Sequence, residues 1–299
     1  MNYCPVCCEK EFKILGNPKP NVIAQQIITE EYKIVECINC HTYFVHPRIN
    51  FTKMEWESLY NTEYFSQQSQ WLLKKRTTEL KTRFDNAQKY FTNSKEIAFL
   101  DIGTGEGKAL IEGYRRGWKV MGIDIVDNRI EEAKSIEIKF LKTNFLEQEI
   151  QENSFDFIYC DSVIEHVLNP FDYLLKIKKL LKVGGILYIG VPNEDSLFNF
   201  IRKLIFTLIY RSGISEKLKP FDSPYHVVGF NKESLNFLIN KTGLKIVFFR
   251  NFGRKLDFLS YPFFKKGFWI SLIFLFPIEV LGNLLKRDVY FEVYLQKNK

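Results

Sequence analysis

Residues 97–107 restrict the fold more than any other segment. A short apolar run, Ile97-Ala98-Phe99-Leu100, ends in Asp101-Ile102-Gly103-Thr104-Gly105-Glu106-Gly107, and a helical pattern follows. A continuous apolar run suits a strand buried on both faces of a parallel sheet. The glycines let the following turn bring backbone close to a ligand. A strand, a Gly-rich turn and a helix make the first half of a nucleotide-binding βαβ unit. The expected fold class is therefore α/β, a Rossmann-like sheet with helices on both faces. The dinucleotide fingerprint G-x-G-x-x-G is not met, because position 108 is Lys108 and not Gly or Ala.

The rest of the pattern continues in order. Trp118 to Ile123 reads as a second strand ending in Asp124. An acid about twenty residues beyond the glycines can accept hydrogen bonds from both hydroxyls of a ribose. A helix is expected from near Asn128, then a third strand at Phe140-Leu141-Lys142, followed by Thr143-Asn144-Phe145. A fourth strand, Phe155 to Cys160, runs into Asp161-Ser162-Val163-Ile164-Glu165-His166-Val167. After it come a helix from Phe171 to Leu181, the turn Lys182-Val183-Gly184-Gly185 and a fifth strand from Ile186 to Val191. Ser234 to Val247 reads as a helix and a strand, and Tyr290 to Leu295 as a last strand.

The D-x-G-x-G-x-G spacing at Asp101–Gly107, Asp124, Glu165-His166-Val167 and the Gly-Gly turn together resemble the class I S-adenosylmethionine-dependent methyltransferases, in the branch that acts on small molecules and glycans. The likeness is strong over residues 95–195 and weaker over 225–295. It implies a cofactor site of Asp101, Gly103, Thr104, Gly105, Gly107, Asp124, Ile125, Asn144, Phe145 and Asp161. The loop and Asp101 would meet the methionine end and Asp124 the ribose. Asn144 stands where the family often has Asp, and its amide oxygen can still accept a bond from the adenine amine. Methyl transfer from a sulfonium is an in-line displacement in which the protein supplies proximity and alignment. A hydroxyl acceptor gains from a base. His166 and His226 are the candidates, with Asp161 and Glu165 behind them. Tyr60, Tyr64 and Phe65 are candidates to close over the cofactor, against plain helix packing.

The first forty residues carry five of the six cysteines. Cys4-Pro5-Val6-Cys7 and Cys37-Ile38-Asn39-Cys40 are two C-x-x-C knuckles, the ligand set of a structural zinc ribbon. Cys8 competes with Cys7, but Cys4/Cys7 has the knuckle spacing; His41 and His46 are secondary candidates. Gln26–Thr29 and Tyr32–Val35 are the expected strands of its hairpin. Four thiolates close such a site, so no catalytic metal is expected. Cys160 reads as a buried strand residue.

The expected organisation is a zinc-ribbon module over 1–50, a helical bridging or lid region over 51–94, and a methyltransferase domain over 95–299. Two apolar insertions interrupt that domain, near 197–220 and 254–287. In the first, Leu197, Ile201, Leu204, Ile205, Leu208 and Ile209 share a helical face beside Arg202, Lys203 and Arg211. The second, Phe263 to Ile278, reads as too short to span a bilayer and fits a buried lid or an interfacial helix. Both are expected to pack together near the active-site mouth.

A ribbon ahead of this methyltransferase branch resembles bacterial enzymes that methylate sugars or glycan intermediates of surface polysaccharides. The expected partner is a small-molecule or lipid-linked glycan substrate, with peripheral membrane contact as an added expectation. The net charge of +7 also admits an RNA methyltransferase with a zinc module. Against nucleic acid stands Asp161-Ser162-Val163-Ile164, where base-amine enzymes carry N-P-P-Y. A non-catalytic scaffold would have a damaged loop, and this one is intact. No secretory pattern opens the sequence, so the expected place is the cytoplasm or the inner face of its membrane.

Overall fold

The computed structural model describes residues 3–18, 22–28, 30–49, 51–60, 70–91, 96–210, 218, 225–253 and 261–298. Its first part is a small antiparallel sheet. Strand β1 (Phe12–Gly16) pairs with β2 (Lys33–Cys37), and β2 pairs with β3 (Tyr43–His46). The strand expected at Gln26–Thr29 is not formed: helix α1 (Val22–Ile27) takes its place, and Thr29 lies outside the described residues. Ala24 is fully buried while Ile27 and Ile28 pack on the same core, a spacing of three to four that suits a helix face and not an alternating strand.

Two helices lead into the larger sheet. A capping box of Thr52 and Glu55 starts α2 (Lys53–Leu59). Tyr64 and Phe65 lie outside the described residues. Helix α3 (Gln70–Gln88) sets Phe84 among Phe99, Trp118, Phe157 and Tyr159, with ring centroids 5.2–5.7 Å apart.

The larger sheet follows the expected alternation. Its elements are β4 (Ala98–Ile102), α4 (Lys108–Arg115), β5 (Lys119–Asp124), α5 (Glu131–Ser135), β6 (Lys139–Lys142), β7 (Phe155–Asp161), α6 (Pro170–Leu180) and β8 (Leu181–Pro192). Then come α7 (Leu197–Tyr210), β9 (Val228–Gly229), α8 (Lys232–Thr242), β10 (Lys245–Phe252), a long helix α9 (Lys266–Leu284) and β11 (Tyr290–Gln296). Seven strands lie in the order β10-β11-β8-β7-β4-β5-β6. Five are parallel, and β11 runs antiparallel between β8 and β10. Helices cover both faces: Phe99 packs with Phe84 of α3 and Leu110 of α4, while Leu100 and Ile102 share a cluster with Leu174 of α6 and Leu235 of α8. The chain winds one way from β4 to β6 and the other way from β7, so the carboxyl ends of β4 and β7 flank a switch point, where ligands bind in such sheets.

Details depart from the sequence reading. Helix α5 begins at Glu131 and not near Asn128, because Asp127 accepts from the Arg129 backbone and pairs with its guanidinium, which holds a turn there. Lys182–Gly185 is a bulge inside β8: Phe155 faces Leu181, Phe157 faces Ile186, and Gly184 takes φ +82° to absorb the extra residues. The helix of the second insertion runs past the expected end of the apolar run at Ile278, to Leu284. Helix α9 has 19 residues, widens into a π-turn over Ser271–Leu275, and is long and apolar enough to cross a membrane by length and composition. At 1.5 Å per residue it extends about 28 Å.

The N-terminal sheet does not stand apart. β9 adds to it as a fourth strand, with Tyr43 opposite Gly229 and Phe44 opposite Val228. Cys4, Val6 and Phe44 share one core cluster with Leu235 and Leu238 of α8. Tyr43 donates to Asp195 at 2.9 Å, Arg48 to Asn169 at 2.8 Å, and Lys241 to the Val6 carbonyl at 2.7 Å.

Candidate functional site

Three strands deliver carboxylates to one edge of the sheet: Asp101 in β4, Asp124 at the end of β5 and Asp161 at the end of β7. Gly103, Gly105 and Gly107 all have positive φ, which bends the intervening loop back toward β5. The Gly103 amide bonds to the Ile123 carbonyl at 2.9 Å, and the Gly105 amide to Asp124 Oδ2 at 2.9 Å. Asp124 Oδ1 accepts from the Val126 amide at 3.2 Å. A Cβ on Gly103 would lie 2.5 Å from Val163, so this position also sets how closely the loop meets the segment after β7.

Burial pushes the Asp124 carboxyl up, and the bonds from Gly105 and Val126 work against that. Asp101 is pushed well up, chiefly by burial and then by the charges of Asp124 and Asp161. Its Oδ2 has no hydrogen-bond partner among the described residues. A buried, unmatched acceptor beside a glycine loop fits a site that a polar ligand completes. Thr104 is buried in the same loop. Ile125 follows Asp124 and is partly buried. At the far end, Asn144 Oδ1 accepts from the Leu146 amide at 3.0 Å and its amide nitrogen donates to Glu147, so it already braces a turn. Phe145 is buried against Tyr173, centroids 4.7 Å apart.

Asp161 has a partner that the sequence reading missed. Arg83, from α3, donates to its Oδ2 at 2.7 Å; Tyr159 donates to the same oxygen and Tyr290 to Oδ1. Nothing local marks Arg83, which is separated from Asp161 by 78 residues and sits among other basic positions of one helix.

His166 and His226 come together, their rings 5.0 Å apart. His166 Nδ1 lies 2.8 Å from the Tyr60 hydroxyl and 3.1 Å from the Tyr225 carbonyl. Burial lowers the His166 imidazole to about 4 and holds His226 well down, the latter also through its neighbour His166. Both rings are therefore neutral near pH 7. Glu165 is buried beside them, and Glu194 Oε1 lies 3.9 Å from His226 Nδ1. Glu194 was not singled out in the sequence because it belongs to no recognisable spacing. Tyr60 ties the two halves of the site: its carbonyl accepts from Asn128 beyond β5 while its hydroxyl meets His166 after β7.

The four cysteines form a second cluster. Their sulfurs lie within 4.8 Å of one another, with Cys4–Cys40 at 3.5 Å and Cys7–Cys37 at 3.4 Å. Four sulfurs around one tetrahedral zinc, each at 2.3 Å, would stand about 3.8 Å apart. The two knuckles are built alike: the amides of Cys8 and His41 bond back to the carbonyls of Cys4 and Cys37, and both residues have positive φ. Cys8 is exposed and, like His41, serves as the turn residue after its knuckle. His46 packs against Phe12, away from that role.

Comparison with known proteins agrees with this arrangement. A family profile described as "Methyltransferase domain" matches residues 72–247, over half of the chain. The ubiquinone biosynthesis O-methyltransferase of Rickettsia bellii is 27% identical over 116 residues, covering 37% of this chain and 48% of that protein. Its counterpart from Roseobacter denitrificans is 30% identical over 125 residues, covering 40% and 50%. The chain thus spans about half the length of the curated relatives it matches. Among solved structures, a SAM-dependent methyltransferase from Archaeoglobus fulgidus aligns with TM-score 0.50 at 18% identity, over 74% of this chain and 94% of that one. The 1,6-didemethyltoxoflavin-N1-methyltransferase of Burkholderia thailandensis aligns with TM-score 0.50 at 13% identity, over 88% and 99%. At these identities the structural matches speak for the fold.

The Arg83–Asp161 pair predicts a stability effect. Arg83→Met leaves a carboxylate at the sheet edge without its cation and should lower unfolding free energy in urea by about 2–3 kcal/mol, less than for a fully buried pair because Asp161 keeps some contact with water. Wild-type stability in that variant would show that the edge does not need the cation.

Proposed function

The chain belongs to the methyltransferase-domain family, and we propose that it transfers a methyl group from S-adenosylmethionine to a small-molecule acceptor, a sugar or glycan intermediate of surface polysaccharide. The observation that carries the reading is the Gly103–Gly107 loop closed onto Asp124, with the unmatched Asp101 carboxyl beneath it. Bound there, S-adenosylmethionine supplies the activated methyl group. Asp124 holds the ribose hydroxyls. Asp101, Gly103, Thr104, Gly105 and Gly107 take the methionine end, and Ile125, Asn144 and Phe145 the adenine end. Asp161, fixed by Arg83, borders the pocket. His166 and His226 stand at the acceptor side and handle its hydroxyl proton. Relatives named for ubiquinone biosynthesis and for 1,6-didemethyltoxoflavin support a small-molecule substrate; the ribbon architecture is the reason for preferring a glycan. A cytoplasmic site of action goes with this reading.

Isothermal calorimetry tests the cofactor assignment. The wild-type protein should bind S-adenosylhomocysteine, and Asp124→Ala should weaken it by about 1.5–3 kcal/mol through loss of charged hydrogen bonds. Equal affinity in the variant would remove Asp124 from the ribose role.

The cysteine cluster is proposed to hold one structural zinc on Cys4, Cys7, Cys37 and Cys40. Its compact geometry supports this, as does the small size of a sheet that gains folding energy from metal. Elemental analysis should give one zinc per chain, lost in Cys37→Ser/Cys40→Ser. A metal-free ribbon that stays folded would refute it.

A lipid-linked acceptor with peripheral membrane contact is supported by α7 and α9. Leu197 bonds through its amide to the Arg287 carbonyl, which ties the start of α7 to the segment that follows α9. Many of their apolar side chains are exposed, Leu204, Leu208, Trp269, Phe274 and Leu284 among them, and only 11% of an 18-residue window of α9 is buried. Lys203, Lys265, Lys266 and Lys286 rim this surface, which suits anionic headgroups. Flotation with anionic liposomes at low salt should carry the wild type upward and leave a Trp269→Glu/Phe274→Glu variant behind. Wild type that stays wholly unbound would refute membrane contact.

A further inference from the structure

Glu165 and His166 leave β7 together, and His226 reaches them from the segment before β9. One ligand atom from each lies within 4.8 Å of the others. His166 Nε2 is 3.9 Å from Glu165 Oε1. Glu165 is 1% exposed, and neither of its carboxylate oxygens has a hydrogen-bond partner among the described residues. A buried carboxylate left this way is costly. The backbone around it is well fixed, because the Glu165 carbonyl accepts from both Val227 and Val228, which binds the two ligand-bearing segments to each other. The His166 ring is oriented in turn, its Nδ1 engaged by Tyr60 and Tyr225 and its Nε2 left on the Glu165 side. Such outer contacts on one ring nitrogen are how histidine ligands are held for a metal at the other.

We propose that Glu165, His166 and His226 form a second metal site, for a divalent transition-metal cation. Two imidazole nitrogens and one carboxylate oxygen are a donor set suited to such ions and leave coordination positions open. The sequence reading expected the four cysteines to be the sole metal site. The two are chemically different, all-thiolate against nitrogen and oxygen, and only the second adjoins the glycine loop, through Val163 against Gly103.

The site's role rests on the methyltransferase reading. An acceptor hydroxyl bound to the cation would lose its proton more readily, to a base in solvent. Its oxygen then forms the new bond to carbon as the carbon–sulfur bond breaks and the electron pair leaves with sulfur. The two histidines would then handle the acceptor's proton through the cation they hold.

Cobalt titration of the full chain, its cysteine site first loaded with zinc, tests this. The wild type should take up one Co²⁺ per chain with visible d–d absorption and without the sulfur-to-cobalt charge-transfer band of a thiolate site. Glu165→Gln and His226→Gln should each weaken uptake at least about tenfold, the loss that removing even a supporting residue brings. S-adenosylhomocysteine binding, measured on the same samples, should persist in both variants; should one misfold, the other decides. Absent uptake in the wild type, cobalt seen only with the thiolate band, or unchanged uptake in a folded variant overturns the metal site. Cobalt uptake by a wild-type protein that ignores S-adenosylhomocysteine would instead overturn the methyltransferase reading and leave the metal site standing.

Discussion

Three carboxylates share one edge of the central sheet, and much of the surrounding structure answers that fact. Asp101, Asp124 and Asp161 cannot all be charged and dry without compensation. Asp124 is met by the amides of Gly105 and Val126, which requires the loop to turn back with positive φ at its glycines. Asp161 is met by Arg83, which requires α3 to lie across β7, and the aromatic packing of Phe84 fixes it there. Asp101 receives neither. Its unmatched oxygen is the point at which the edge is unfinished, and a site for a polar ligand follows from the same arithmetic that gives the other two their partners.

The N-terminal sheet is joined to this edge through backbone pairing and not merely leaned against it. β3 pairs with β9, and the residues just before β9 are Tyr225, His226 and Val227. Tyr43 reaches Asp195, next to Glu194, and Arg48 reaches Asn169 at the start of α6. The segments that position His226 and Glu194 are thus held from the ribbon side. Loosening the cysteine cluster would be felt first in this wall, and only afterwards in the glycine loop, which is held from β5.

How much of this the sequence disclosed depended on the range of the interactions. The loop, Asp124 and the succession of the five parallel strands along the chain are legible because strand, turn and helix signals are local and repeat at fixed spacing. The two cysteine knuckles were legible for the same reason. Arg83, Glu194 and the approach of His226 to Glu165 were not, since each depends on chain segments far apart in sequence: 60 residues separate the two histidines, and no period links them. The strand expected at Gln26–Thr29 rests on the β-branched pair Ile27-Ile28, whose strand propensity outweighs in the sequence the weak helical spacing from Ala24 that the structure follows. The apolar run expected over Phe263–Ile278 falls short of the end of α9 at Leu284; Pro277 within it is accommodated near the start of the second α-helical stretch, directly after the π-turn.

The apolar pair α7 and α9 is anchored to the same wall. Asn193 bonds by its amide to the Val289 carbonyl and by its side chain to the Asp288 carbonyl, and Arg287 donates to the Asp195 carbonyl. Residues 193–195 therefore carry three loads at once: the end of β8, the junction of α7 with α9, and Glu194 beside His226. A molecule resting on the exposed faces of the two helices would press on the segment that carries Glu194, whose Oε1 lies 3.9 Å from His226 Nδ1. The geometry gives a physical reason for an apolar surface and a polar pocket to be built on one short connection.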